Sequence, residues 1–505
     1  MPNSAQTAIA KLLHCGYRAA VTYDLLIIGG GINGAAIARE AALNGLKVLL
    51  VERDDLASHT SSASTKLIHG GLRYLEYYEF KLVAEALRER ERLVHAAPHI
   101  IHPMRFVLPH DGARPWWFLR AGLILYDLLG GKMSLPRSRG LRASDTDLRA
   151  PLKSATKGFV YSDAWVDDSR LTLLNALDAA ANGAEIATRT ALLSARREGD
   201  VWRATLSDGR EVAARGLVNA AGPWVAETLG LLGVNARSGV RLIKGSHIVV
   251  PKLFEGDQAY ILQQPDGRIV FAIPYEGDFT EIGTTDVPVE RPEDAVIDAD
   301  EIAYLCAAVN RHFSAQINPG DVRSTWSGVR PLYDDGASEA KAVTRDYVLE
   351  VDTTGPALLS VFGGKITTAR HLAEEAVGKL AGPMRFSAKR VTRERTFPGG
   401  DIGGFAAFLA DIRARWPFLG DVRSERMARA YGFMLHEMLR SISDAAALGM
   451  AFGAGFTEIE ARWMHDHEWA RSPEDALMRR SKIGLHLTAE ERAAFESWWG
   501  TEYPA

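Results

Sequence analysis

The hydrophobic pattern is clearest near the start of the chain, where an apolar strand, a glycine-rich turn and a small-residue helix follow one another. Residues 24–28 predict a strand that is apolar on both faces, as strands of a parallel sheet are. The helix after the turn is rich in alanine and ends at Gly45. Residues 47–51 predict a second buried strand, with Glu52 at its end. The pattern therefore predicts one complete βαβ unit.

Beyond this unit, helical and extended patterns alternate. An amphipathic helix is predicted over residues 80–97, and an aromatic, basic, proline-containing stretch follows over 105–150. Short β-rich runs separated by turn residues over 240–350 predict a mainly antiparallel sheet. A buried strand at 358–362 precedes another helix. After a glycine-rich linker at 398–404 the pattern is helical and poor in strands.

Composition narrows the class of protein. The chain has 505 residues, of which 47% are hydrophobic and 24% charged, and its net charge of −4 excludes a generally basic nucleic-acid binder. Its 2 cysteines are too few for a disulfide framework, so a reducing cytoplasm is the expected location. Cys306 lies in an apolar helical context and is predicted to be core. No uninterrupted apolar run reaches about 18 residues, so no spanning helix is predicted.

The turn after the first strand carries the glycine fingerprint of a dinucleotide-binding site. Gly29 allows the tight turn, Gly31 lets a pyrophosphate approach the backbone, and Gly34 lets helix and strand pack closely. The helix N-terminus, beginning near Asn33, offers unpaired N–H groups to phosphates. Glu52 is placed to accept hydrogen bonds from an adenosine ribose and to repel a 2′-phosphate, which disfavours NADP. An unoccupied tight turn is the alternative.

Two further segments favour FAD over a nicotinamide dinucleotide. Residues 61–74 are dense in hydroxyls, glycines and cations, which suits a loop around a diphosphate and a flavin edge, although an ordinary polar loop has the same composition. Residues 362–368 again join a buried strand to a helix, whose N-terminus could stabilise negative charge on a flavin. The remaining predicted FAD-binding residues are Ser61, Ser62, Ser64, Lys66, Leu67, His69, Gly70, Gly71, Ala221, Gly222, Gly363, Gly364, Lys365 and Thr367.

The stretch SSASTKLIHGGLRYLEYYEF resembles the FAD-dependent, respiratory glycerol-3-phosphate dehydrogenases, over roughly residues 23–398. Further stretches of the same resemblance are YSDAWVDDSRL, GLVNAAGPWV, RLIKGSHIVVP, IGTTD, SGVRPL, TRDY and SVFGGKITT. It continues more weakly into DHEWARSPEDALMRRSKIG in the helical tail. Departures are the long N-terminal extension and Ala221, where the family often has threonine.

We therefore predict an α/β fold (α+β overall) with a Rossmann-type FAD-binding domain, an antiparallel substrate domain and a C-terminal helical domain. Thr488 with Glu491 predicts a capping box in the last of these. The predicted division is a disordered extension at 1–22, an FAD-binding domain at 23–104, 155–235 and 340–397, a substrate-binding or cap domain at 105–154 and 236–339, and a helical domain at 398–505.

The resemblance implies oxidation of sn-glycerol 3-phosphate to dihydroxyacetone phosphate, with hydride transfer to flavin N5 and electrons passed to ubiquinone. A small polyol dianion needs several cations, and arginine matches phosphate oxygens in pairs. The predicted substrate-binding residues are Arg73, Tyr74, Arg330, Arg345 and Lys365. For any one of these arginines, the alternative interpretation is an ordinary charged residue on the protein surface.

Histidine has the ordinary pKa that suits the base for the hydroxyl proton. We predict His247 as this base, with Arg330 polarising the hydroxyl, Lys365 assisting and His69 as a flavin contact. A structural histidine remains an alternative for His247 and His69. No metal site is predicted, because the His465 and His467 side chains, two apart on a helix, point to different faces.

The segment 114–126 combines tryptophans, aliphatic residues and flanking cations, as an interfacial helix at anionic headgroups does. A buried helix under the cap domain is the alternative. With a quinone as electron acceptor, the pattern predicts a homodimer bound peripherally at the cytoplasmic face of the membrane. Two other functions stay open: an oxidase that passes the electrons to dioxygen, and a non-catalytic FAD-fold binding protein.

Overall fold

A computed structural model describes residues 21–110, 112, 114–154, 157–234, 239–334 and 346–504. Two large sheets organise these residues. The first sheet contains eight strands: β1 Val21–Ile28, β2 Val48–Val51, β7 Glu185–Ala187, β8 Leu192–Glu198, β9 Val201–Leu206, β10 Glu211–Asn219, β17 Val348–Asp352 and β18 Ala357–Phe362. Its parallel centre runs in the order β18-β10-β1-β2-β7.

The second sheet is mainly antiparallel, as predicted, with β12 and β4 as its parallel pair. Its ten strands are β3 Leu67–Ile68, β4 Ile101–Pro109, β5 Arg139–Gly140, β6 Gly158–Val166, β11 Gly239–Pro251, β12 Ala259–Gln263, β13 Ile269–Tyr275, β14 Phe279–Gly283, β15 Val287–Pro288 and β16 Ser324–Asp334. A separate small pair joins β19 Ala451–Gly453 to β20 Phe456–Thr457.

Thirteen α-helices complete the described residues. They are α1 Ile32–Leu43, α2 Phe80–Ala96, α3 Trp116–Leu129, α4 Thr146–Arg149, α5 Asp168–Ala181, α6 Val225–Leu231, α7 Ala299–His312, α8 Ala369–Met384, α9 Phe405–Arg415, α10 Gly420–Tyr431, α11 Leu435–Met438, α12 Glu458–His467 and α13 Ala489–Glu502. Helices α1, α5 and α8 cover one face of the first sheet, while α2 and α3 lie on one face of the second and α7 on the other. Cys306 is buried in α7, as predicted.

The strand pairing differs from the predicted division in the FAD-binding ranges and at the N-terminal extension. Strand β3 and residues 101–104 of β4 lie within the predicted FAD-binding range 23–104 but belong to the second sheet. Strand β6 lies within the predicted FAD-binding range 155–235 but belongs to the second sheet, because it pairs with β4 over its whole length. Val21 and Thr22, which were assigned to the N-terminal extension, extend β1 because they pair with Val212 and Ala213. Residues 1–20 lie outside the described part of the chain.

Buried ion pairs attach the C-terminal helices to the loop that follows β2. The guanidinium of Arg480 donates to both carboxylate oxygens of Asp55, at 2.7 and 2.8 Å, and to the carbonyl of Glu468. Arg170 of α5 donates to the Glu468 carboxylate at 2.9 Å. Removing one partner of such a pair leaves an uncompensated buried charge, so these contacts hold the two parts in one orientation. The predicted capping box of Thr488 and Glu491 is confirmed at the start of α13.

We expect Arg480→Met to destabilise the protein, because the buried Asp55 carboxylate would lose both Arg480 hydrogen bonds and keep only the one from Arg479 at 2.7 Å. The free energy of unfolding should fall by about 1–3 kcal/mol in urea titrations followed by tryptophan fluorescence. Arg196→Met is the matched control, since the Arg196 side chain is 72% exposed beside Glu198 and its loss should cost less than about 1 kcal/mol. Equal unfolding midpoints for the two variants would contradict this account.

Candidate active site

The turn between β1 and α1 has no room for side chains. A Cβ added at Gly29, whose φ is +108°, would lie 2.6 Å from the Ala220 carbonyl oxygen at the end of β10. One added at Gly34 would lie 1.9 Å from the Gly29 carbonyl oxygen. At Gly31 the added atom would lie 3.0 Å from Oγ of Ser61. The same turn lines a cleft, so a ligand in it would approach the backbone and the N-terminus of α1.

Glu52 closes one end of the same cleft. Its carboxylate accepts from the backbone N–H of Gly30 at 2.6 Å and of Asp54 at 2.9 Å. Burial raises the pKa of this carboxyl, and the two backbone donors oppose that rise. Each oxygen keeps a lone pair for a further donor, such as a ribose hydroxyl. Glu52 thus has the geometry predicted for a ribose-binding acid.

A tryptophan lies beside this end of the cleft and was not predicted as a site residue. The Arg53 guanidinium lies 4.1 Å from the Trp224 ring centroid, and the His59 ring lies 4.7 Å from it. All three line the cleft together with Ala221 and Gly222. Trp224 lies within the GLVNAAGPWV stretch that carries the family resemblance. A single tryptophan in a sequence, however, does not indicate that its ring faces a ligand.

The third predicted segment also reaches this cleft. Gly363 and Gly364 line it with φ values of +75° and +103°, and Asn33 donates from Nδ2 to the Gly363 carbonyl at 3.1 Å. Oδ1 of Asn33 is buried without a hydrogen-bond partner among the described residues. Bare glycine backbone, an orphaned amide oxygen and a helix N-terminus together fit a bound FAD.

The loop 60–66 contains two kinds of predicted residue. Oγ of Ser61 accepts from the N–H of Ile32 at 2.9 Å, so it fastens the loop to α1 beside the cleft. Ser64 and Lys66 turn inwards instead: the Lys66 ammonium is 2% exposed and pairs with Asp168 at 3.0 Å, and Ser64 donates to the same carboxylate at 2.7 Å. Their role in the structure is to anchor the loop to α5. Ser62 donates to the His59 carbonyl and accepts from Lys66 through its own carbonyl.

The neighbouring residues connect the loop to the face of the second sheet that α2 and α3 cover. Leu67 is buried in that core, the N–H of His69 donates to Oγ1 of Thr367 at 3.3 Å, and the N–H of Gly70 donates to the Tyr126 hydroxyl. Burial lowers the pKa of His69. Gly71, with φ +73°, allows a turn just before Arg73 and Tyr74. The Lys365 ammonium lies 4.0 Å from the Tyr74 ring centroid.

Two glycines of the second sheet carry the side chains of His247 and Arg330. A Cβ added at Gly283 would lie 1.9 Å from Cδ2 of His247, and one added at Gly245 would lie 2.0 Å from Nη2 of Arg330. The register pairs His247 with Gly283 across β11 and β14. Both side chains therefore lie flat over backbone that has no side chain, on the face that meets loop 60–66.

The surroundings of His247 and Arg330 differ in charge and exposure. His247 is 2% exposed, stacks on Trp326 at 5.4 Å, and has Oγ1 of Thr65 at 2.9 Å from Nε2. Burial lowers its pKa well below the ordinary value, and the positive charges of Lys66 and Arg330 lower it further, so the imidazole is neutral at neutral pH. Arg330 is 40% exposed and donates to Asp286 at 2.6 Å. Arg345 lies outside the described residues.

Comparisons with known proteins agree with this geometry. A family model described as FAD dependent oxidoreductase matches residues 24–370. The chain belongs to this family. The match confirms the predicted fold class and the FAD cofactor.

Three named relatives resemble nearly the whole chain. D-erythritol 1-phosphate dehydrogenase of Brucella abortus is 49% identical over 490 residues, which cover 95% of this chain and 98% of that protein. Aerobic glycerol-3-phosphate dehydrogenase of Escherichia coli is 49% identical over 489 residues, covering 94% and 97%. The structure of glycerol-3-phosphate dehydrogenase from Bacillus halodurans complexed with FAD has a TM-score of 0.72 and 26% identity, covering 99% and 97%. These relatives confirm the family resemblance inferred from the motifs.

We expect Gly34→Ala to abolish FAD binding, because the new methyl group would overlap the Gly29 carbonyl oxygen. Purified protein should lose its flavin absorbance while keeping a folded far-ultraviolet dichroism spectrum. Gly378→Ala in α8 is the matched control, since a Cβ there meets nothing within 4 Å. Full flavin content in Gly34→Ala would show that α1 and β1 can separate without cost.

Proposed function

We propose that this flavoprotein oxidises sn-glycerol 3-phosphate to dihydroxyacetone phosphate and that ubiquinone takes the electrons in a respiratory chain. The observation that carries the proposal is the seating of a neutral, buried His247 near Arg330, on the sheet face that contacts loop 60–66, whose Thr60 and Ser61 line the FAD cleft. Relatives at 48–49% identity bear the name glycerol-3-phosphate dehydrogenase. Bound FAD supplies the hydride acceptor.

The side chains support a division of labour. The Arg330 guanidinium donates to the Asp286 carboxylate and to the Thr285 carbonyl, which fix its orientation. Because it is half-exposed, its other N–H groups suit the substrate hydroxyl or a phosphate oxygen. Lys365, whose ammonium lies 4.0 Å from the Tyr74 ring centroid, would hold the dianion together with Arg73 and Tyr74. His247 accepts the hydroxyl proton, since a neutral imidazole in a buried site is a competent base.

A second candidate substrate is D-erythritol 1-phosphate, because a relative at 49% identity over 95% of this chain carries that activity in its name. Both compounds carry a terminal phosphate and, on the neighbouring carbon, a secondary alcohol. The same cations and base would therefore serve both. They differ by one hydroxylated carbon, which must fit between the phosphate and the far wall of the pocket.

Exposed apolar side chains on α3 and at the start of α2 form what we call the aromatic surface. This surface supports attachment to a membrane. Trp117 is 70% exposed, Leu128 61% and Tyr78 79%. Exposed cations occur on α2 and in the segment that follows α3: Lys81, Arg88, Lys132 and Arg137. No helix in the described ranges is long and apolar enough to cross a membrane. We propose that the aromatic surface rests on anionic headgroups at the cytoplasmic face, with the protein as a homodimer.

Anaerobic mixing with glycerol 3-phosphate should bleach the flavin absorbance of the holoenzyme, and ubiquinone should restore it faster than air does. D-erythritol 1-phosphate, tested in parallel, decides between the two substrates by the ratio of their second-order rate constants. No bleaching by either compound would rule out the proposed function. Faster recovery in air than with ubiquinone would favour the oxidase alternative.

His247→Asn should slow this reduction by about 10²–10⁴-fold, because the hydroxyl proton would lose its acceptor. The single-turnover rate in a stopped-flow instrument measures this change separately from substrate binding. His95→Asn is the matched control, since the His95 side chain is 65% exposed on α2. An unchanged rate in His247→Asn would remove the histidine from the mechanism.

Replacing Trp117 and Phe118 by serine should release the protein from vesicles that contain phosphatidylglycerol, because the exposed rings would no longer enter the headgroup layer. Co-sedimentation with and without 0.5 M salt separates the apolar from the ionic contribution, because the added salt shortens the screening length from about 30 Å at 0.01 M to about 4 Å. Val422→Ser is the control, since Val422 is 83% exposed on α10. Equal binding of all variants would leave α3 as a purely structural helix.

A further inference from the structure

Glu281 on β14 is a buried acid that the mechanism above does not use. Its side chain is 0% exposed, and neither carboxyl oxygen has a hydrogen-bond partner among the described residues. One oxygen lies 3.8 Å from Nε2 of His247. Because strand residues alternate between faces, Glu281 shares the face of Gly283, over which the His247 ring lies. A buried carboxyl without hydrogen bonds is costly and requires an explanation.

The charged and titratable groups around Glu281 come from four elements. His247 lies on β11, Tyr275 on β13, Lys66 in the loop before β3, and Asp168 on α5. Lys66 and Asp168 are already paired with each other at 3.0 Å. The Trp326 ring stacks on His247 and lies 4.7 Å from the Lys66 ammonium, so it closes this pocket with an apolar wall.

Protonation of His247 poses an electrostatic problem in this pocket. The imidazolium would form out of water and close to two positive side chains, Lys66 and Arg330, and both disfavour it. Asp168 cannot compensate, because its carboxylate already accepts from Lys66 and Ser64. Glu281 is the acid beside His247 that has no such commitment among the described residues.

We propose that Glu281 is a positioning residue for His247: its carboxylate faces Nε2 and compensates the positive charge that appears when Nδ1 takes the substrate's hydroxyl proton. Nδ1 is buried without a hydrogen-bond partner in the described part of the chain. The hydride carries away the electron pair of the C–H bond, so only the proton arrives at His247. The inference rests on the proposed function, in which His247 is the base.

The pocket makes this compensation dependent on pH. Burial raises the pKa of Glu281 to about 8, Asp168 contributes to the rise, and Lys66 opposes it. Below that pH the carboxyl is protonated and neutral, so it cannot balance an imidazolium. Above it the carboxylate is ionised. Substrate oxidation should therefore speed up as the pH rises through about 8.

The test is anaerobic stopped-flow reduction of the holoenzyme by glycerol 3-phosphate between pH 6 and 9.5. For the wild type we expect the saturating rate constant to rise about tenfold between pH 7 and 9, as one ionisation near 8 requires. Glu281→Gln should be about 10²-fold slower at pH 9 and flat with pH, with an unchanged substrate dissociation constant. Glu281→Asp should recover part of the rate and the pH dependence.

Glu276→Gln is the matched control, because burial also raises the pKa of Glu276, to about 7, and the charged groups that shift it within the described residues are Lys482, Asp167, Lys66 and Arg426. It should follow the wild-type profile. Infrared difference spectra of the pH titration provide a readout independent of turnover: a protonated carboxyl band should disappear near pH 8 in the wild type and be missing in Glu281→Gln.

Two results would overturn the inference: a Glu281→Gln rate within about twofold of the wild type with the same profile, or a wild-type rate that is flat between pH 7 and 9. If Glu281→Gln does not retain FAD, the wild-type profile and the Glu281→Asp spectra decide the question. If neither polyol phosphate reduces the wild type, the proposed function fails, and the infrared titration still reports whether Glu281 ionises near pH 8.

Discussion

Close approach to bare backbone is the constraint on which this molecule depends. At the first turn, Gly29 and Gly34 let β1, β10 and α1 meet at distances that exclude a Cβ atom. On the second sheet, Gly245 and Gly283 let Arg330 and His247 lie against the strands. The first pair lets α1 begin close beside the two strands at the cleft, and the second pair fixes the height of Arg330 and His247 above the sheet. Both halves of the site therefore use the absence of a side chain as their positioning device.

Buried charge is the second organising interaction, and it connects parts of the chain that are remote in sequence. Arg480 and Arg170 bind the C-terminal helices to the loop after β2 and to α5. Asp168, on that same helix, holds Lys66 and thereby loop 60–66. Helix α5 therefore holds both the C-terminal helices and loop 60–66. Through Thr65, that loop in turn contacts His247 on the second sheet.

The sequence predicted the βαβ unit and the FAD cleft well, because hydrophobic period and glycine spacing are local signals. It also predicted Glu52 and Gly363 as cofactor contacts, and both line the cleft, while the capping box of α13 is confirmed. It did not place β6, because strand pairing depends on partners far along the chain. Lys66 looked like a cofactor ligand, since a cation in a polar loop gives no sign that Asp168 will bury it. Glu281 gave no signal, because one acid in an alternating strand is ordinary until its neighbours are known.

Strand β18 lies between β10 and β17, and it contributes the glycines that complete the cofactor cleft. It is also among the last strands to be synthesised, about 140 residues after β10. Residues 216–219 of β10 pair with β18, so without β18 this part of β10 would be an open sheet edge of the kind that recruits other strands. The strand that leads into Gly363 and Gly364 therefore also closes the sheet against pairing with other chains, so completing the cleft and protecting the edge depend on the same segment.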